Sequence, residues 1–171
     1  MARKMLIILL CLSQAFLLSA CRNRAVETAI DGVKSYLPEV KSFVEENKES
    51  LEILISIQSE HLEYRYMISE DSISVFDANE DWSKQISETS LDRSEYLTEE
   101  EKNAVISLMD SWQEFSFIRI QKEEVLICLY DRGNVFLYLS NLFIDYTGAF
   151  GAYSEQIDET WNVTIMYAPK G

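Results

Sequence analysis

An α+β fold is what this sequence predicts: an antiparallel sheet of about five or six strands carrying two main helices. Three observations lead there. Apolar residues between Pro38 and Gln58 recur at three- and four-residue spacing, the signature of one helix face packed on something. Runs of Ile, Val, Leu and Tyr of strand length stand side by side with short polar turns between them. No internal repeat and no Pro/Gly-rich linker divides the chain, so helices and strands share one core.

The first helix is expected from Pro38, which suits an opening turn because its missing N–H has no helical partner to lose. Val40, Phe43, Val44, Asn47, Leu51, Leu54, Ile55 and Gln58 then share one side. The second is expected from Thr98-Glu99-Glu100-Glu101. Thr at the N-cap and Glu at N3 form a capping box, and the acids sit at the positive end of the helix dipole. Ala104, Val105, Leu108, Met109 and Trp112 follow on one face.

Leu62 to Ile68 and Ser72 to Asp77 read as a hairpin closed by Ser69-Glu70-Asp71. Residues 78–97 are polar, acidic and serine-rich and read as a long loop. Phe115 to Gln121, Glu124 to Asp131 and Val135 to Asn141 form three further strands, with a tight turn at Asp131-Arg132-Gly133-Asn134 where Gly133 can take positive φ. Val125 to Tyr130 is apolar at every position, as in a central strand covered on both faces. Asn162 to Ala168 alternates, which predicts a strand with Val163, Ile165 and Tyr167 inward and its other face nearer water.

The first twenty-one residues carry a different signal. Arg3 and Lys4 precede an apolar run from Met5 to Leu18, and Leu18-Ser19-Ala20-Cys21 closes it with small residues and a cysteine. The run is too short for the roughly 20 apolar residues of a spanning helix. This segment resembles a bacterial lipoprotein signal. The resemblance implies cleavage before Cys21, acylation of that cysteine and an extracytoplasmic, lipid-anchored location on the cell membrane or outer membrane. Several acyl chains on one residue give the stable anchoring that a single chain cannot. The expected organisation is thus 1–20 signal peptide, 21–36 anchor and stalk, and 37–171 one α+β domain.

Removal of residues 1–20 takes away Arg3 and Lys4 and no acid, so the formal charge moves from −14 to −16. Nucleic acid is excluded as a partner, since no basic stripe or tail is present to meet phosphates. A basic protein or a cation is the easier partner electrostatically. Of the three cysteines, Cys11 leaves with the signal and Cys21 is lipidated, so Cys128 has nothing to pair with.

Candidate chemistry is sparse. His61 and Cys128 are the one histidine and the one thiol left after export, but Cys128 lies mid-strand among apolar neighbours and His61 at a helix end, placements that suit packing and capping better than nucleophilic catalysis. Asp77, Asn79, Asp81 and Glu88 follow the ligand spacing of an EF-hand calcium loop, with Trp82 where the sharp turn needs glycine. No phosphate loop, HExxH, CxxC or GxSxG is found, so no cofactor and no catalytic role is expected. The stretch from Asn141 to Trp161 is longer than a strand connection needs. Its Phe143, Tyr146, Phe150 and Tyr153 are read either as core closure or as a binding face.

In element order alone the chain is similar to PAS-like and Cache-type sensor domains and to roadblock-like folds. Three functions stand on this reading: a tethered non-enzymatic module that binds another protein, a small-ligand sensor of Cache-like shape, and an acidic inhibitor or immunity lipoprotein against a basic secreted enzyme.

Overall fold

The computed structural model describes residues 24–80, 82–132, 134–142 and 152–168. The segment read as a lipoprotein signal, Cys21, and Phe143, Tyr146 and Phe150 lie outside these residues. Residues 24–34 are helical (α1). There follow α2 (Leu37–Glu46), α3 (Lys48–Glu60), β1 (Tyr64–Ile68), β2 (Ser72–Asp77), β3 (Gln85–Ser90), a 3₁₀ turn (Leu91–Arg93) and α4 (Glu99–Asp110). The chain then runs through β4 (Phe117–Gln121), β5 (Glu124–Arg132), β6 (Val135–Ser140), β7 (Ala152–Gln156) and β8 (Asn162–Tyr167).

The eight strands among the described residues form one antiparallel sheet in the order β3-β2-β1-β4-β5-β6-β8-β7. Two meanders, β1–β3 and β4–β6, meet edge to edge where Tyr66 pairs with Ile120. α4 carries the chain back from the outer strand β3 to this central junction. The β7–β8 hairpin folds inward, so β8 lies against β6 and β7 forms the far edge.

Strand alternation decides which side chains meet the helices. Tyr66, Ile68, Ile73, Val75, Ile118, Ile120, Ile127, Leu139, Val163 and Ile165 share one core with Val40, Phe43, Leu51, Leu54, Ile57, Val105 and Leu108 of the helices. The opposite face is mixed, with Leu126, Cys128, Phe136 and Tyr138 beside polar residues, and it is closed at its centre. Glu124 is buried there, held by Arg119 Nη2 at 2.7 Å and by the Ser140 hydroxyl at 3.3 Å.

Against five or six expected strands and two helices, the sheet has eight strands, and the helix expected from Pro38 to Gln58 is two helices. Asn47 makes the break. Its φ of −110° and ψ of 20° leave the helical region, and both its backbone N–H and its side-chain Nδ2 donate to Phe43 O. Leu51 N–H then opens α3 by donating to Asn47 O. The apolar spacing carries straight across this joint, which is why periodicity alone hides it.

The two additional strands, β3 and β7, are the sheet edges. β3 reads Gln-Ile-Ser-Glu-Thr-Ser and is largely exposed, inside the stretch expected to be a loop. Its pairing with β2 rests on backbone hydrogen bonds, and a bulge beside Val75 and Phe76 interrupts the register, a common protection of a free edge. β7 lies inside the expected connection and covers β8 from outside. Asn162 and Thr164 are therefore buried, where alternation had placed them nearer water.

The segment read as a stalk joins the core. Ile30 and Val33 are buried with the strands and helices, and Val26, Ala29 and Tyr36 pack against them. Lys34 Nζ sits 4.6 Å above the Tyr153 ring, and Lys41 pairs with Glu155 at 2.7 Å, fastening this end of the chain to β7.

Candidate functional site

A roomy surface feature lies at the end of α4. After the apolar face of α4 turns away at Met109, the helix stops at Asp110 with Ser111 as C-cap. Trp112 is fixed beyond it: its Nε1 donates to Leu129 O at 2.7 Å, and its ring meets Phe43 edge-on at 5.5 Å. A cavity of about 660 Å³ opens on one side of Trp112, with Leu91, Ile106, Met109 and Phe115 as apolar lining and Glu70, Asp71, Asp92 and Asp110 as carboxylates. A second, of about 450 Å³, opens on the other side, with Glu39, Glu46 and Glu114. Trp112 and Gln113 line both, so the two form one groove with an aromatic divide.

Neither cavity is lined by a lysine or arginine among the described residues. Two carboxylates have basic partners outside the lining, Glu114 with Arg132 and Asp92 with Arg93 at 4.0 Å, the latter between exposed side chains. Helix ends add to the field. α2 finishes with Glu46 and α4 with Asp110, and neither has a base in its last turn. An acid at the negative end of a helix dipole costs roughly 0.3 to 1 kcal/mol, so this grouping opposes folding and favours a cation.

A hydrogen-bonded relay sits at the other end of α4, around its N-cap. Tyr66 OH lies 2.9 Å from His61 Nδ1, and His61 Nε2 lies 3.0 Å from Glu101 Oε1. Glu101 Oε2 accepts from Thr98 N at 2.6 Å, while Thr98 Oγ1 accepts from Glu101 N, completing the capping box. The tautomer that satisfies all of these has Tyr66 donating to Nδ1 and Nε2–H donating to the carboxylate. Burial, then the Glu101 and Glu63 carboxylates, push the Tyr66 phenol above its usual range. A fully buried phenol held protonated is placed to brace, joining α3, β1 and α4 at one point.

Cys128 stands on the opposite face of the sheet from His61, with its Sγ 3.6 Å from Tyr130 O, so the two do not form a dyad. Burial pushes its thiol up to about 12. The calcium spacing does not close either. Asp77 ends β2 and accepts from Asn79 N in a local turn, whereas Glu88 pairs with Ser74, three residues back and so on the other face of the sheet. Asp81 lies outside the described residues. No cluster of three or more metal-ligating side chains occurs among those described. Tyr153, the described member of the aromatic set, is half-buried in β7 and donates to Glu155 beneath Lys34.

No protein family, no curated protein and no solved structure matches this chain. No described helix is long and apolar enough to cross a membrane. The groove itself was missed by sequence reading because its acids come from five separate segments. One signal was present: the predicted helix opened by Thr98 runs past Asp110 with no lysine or arginine between Lys102 and Arg119.

Proposed function

We propose that this protein is a membrane-tethered, extracytoplasmic, non-enzymatic module that binds a basic, amphipathic segment of another protein in the groove around Trp112. The observation that supports it is the pairing of an apolar lining with carboxylates from α2, the β1–β2 turn, the 3₁₀ turn after β3, α4 and the segment that follows it, all without a lining base. An apolar stripe on the partner covers Leu91, Ile106 and Met109, and its lysines or arginines meet the acidic rim. Ile106, left 38% exposed, is then covered. Acylation of Cys21, proposed from the signal alone, supplies the anchor.

An acidic inhibitor or immunity lipoprotein is one form of this reading, with a basic secreted enzyme as the partner. The PAS-, Cache- or roadblock-like alternative calls for a closed pocket with converging polar groups. Neither groove cavity is sealed, which favours a polypeptide over a small molecule.

Calorimetric titration of the chain from Arg22 onward with a synthetic amphipathic Lys/Leu helix tests the proposal. Binding should weaken steeply with salt, because exposed charges are screened beyond about 10 Å at 0.1 M. Reversal by Asp71→Lys with Asp110→Lys should weaken it tenfold or more, about 1.4 kcal/mol. Absence of binding, or binding indifferent to the reversal, sinks the proposal.

A further inference from the structure

We infer that the groove works at the bilayer surface, on a basic segment carried by a protein that is itself held at the membrane. This rests on the proposed anchor and groove and adds where the partner must be. Two features of the fold limit the reach. α1 is no free stalk, since Ile30 and Val33 are buried in the core. Tyr36 and Glu39, the next residues after the turn that closes on Val33 O, already line the groove.

From Cys21 to Arg24 the chain spans at most about 10 Å, and helical residues 24–34 add about 15 Å at 1.5 Å per residue. With the closed turn to Tyr36, that end of the groove lies no more than about 30 Å from the acylated sulfur. The buried face of α1 prevents extension without unfolding part of the core. A partner much farther from the bilayer is out of range. One at the surface is met continuously, and an anionic leaflet draws basic segments into the same layer.

The test uses the full, lipidated chain in vesicles with a Lys/Leu amphipathic peptide coupled to lipid. One version carries a short linker, the other a Pro-rich spacer of about 60 residues, extended at roughly 3.1 Å per residue. Zero-length cross-linking between peptide lysines and groove carboxylates reports capture. The short-linker peptide should be captured at least tenfold more, and inserting about 60 Gly/Ser residues between Asn23 and Arg24, with a span of roughly 45 Å, should reduce that preference. Equal capture at both heights in the uninserted chain overturns the inference. So does absence of label when cells are fed radiolabelled palmitate, because no anchor then sets the height. Free peptide in solution separates the two proposals: if it binds the chain without vesicles while heights do not matter, the groove reading stands and this one falls.

Discussion

Glu101 Oε1 lies 3.0 Å from His61 Nε2 while Glu101 Oε2 accepts from Thr98 N, so one carboxylate both caps α4 and holds the C-terminal end of α3. Through His61 Nδ1 the same chain reaches Tyr66, which is fully buried at the centre of the sheet. Removing a member has unequal consequences. Glu101→Ala loses the cap and leaves His61 without its acceptor, and should destabilise by about 2 to 3 kcal/mol. His61→Ala leaves the buried Tyr66 hydroxyl unpaired, at about 1 to 3 kcal/mol. Denaturant unfolding of both single variants and the double should show a coupling of about 0.5 kcal/mol or more. Strict additivity would mean that the relay is geometry without energy.

Asp110 should move stability and binding in opposite directions. It is an acid at the negative end of α4 with no base in the last turn, so Asp110→Lys should raise stability by about 0.3 to 1 kcal/mol. Glu46 differs, because it also stands just before the positive end of α3, which offsets the gain there. Asp110→Lys should at the same time weaken capture of a basic peptide. A gain in melting temperature with binding intact would show that this acid serves nothing in the groove.

Shortening the chain to begin at Leu37 should destabilise it. Ile30 and Val33 lose their burial, at roughly 1.5 to 3 kcal/mol for each side chain, and the strand and helix surfaces beneath them are exposed. Beginning at Arg24 should leave the denaturation midpoint unchanged. Equal midpoints for all three lengths would mean that α1 contributes no packing energy.

Alkaline pH should destabilise through Cys128. Its folded pKa, about 12, is above the unfolded value of roughly 8.5, so the folded state keeps a proton that the unfolded chain releases. The resulting stability is complete below about pH 8.5 and is lost as pH rises toward 12. Tyr66 is shifted in the same direction and extends the loss above pH 10. Unfolding midpoints measured from pH 8 to 11 should fall, and less steeply in Cys128→Ala. In the native protein at pH 8 the thiol should resist alkylation until denaturant is added. Rapid labelling without denaturant would contradict its burial.

The elements that bury a continuous apolar face were legible in the residue order. The capping box at Thr98 and Glu101, the apolar run from Val125 to Tyr130 and the paired runs around Ser69–Asp71 each imply a local structure through burial or turn chemistry, and they form a cap, a strand buried as far as Leu129 and a hairpin. β3 and β7 were not legible because an edge strand is held by backbone hydrogen bonds on one side and needs no apolar alternation. The break at Asn47 was hidden because apolar spacing is preserved across it.

By itself, then, the sequence determined the α+β class, the acidic surface and the central strands, since composition and periodicity act over a few neighbouring residues. Tertiary structure alone decided that Ile30 belongs to the core and that His61 meets Glu101 forty residues later. It also decided that carboxylates from Glu39 to Glu114 line one groove. Those outcomes depend on how the two meanders join at β1 and β4 and where α4 comes to rest, and side-chain spacing along the chain carries no record of that distance.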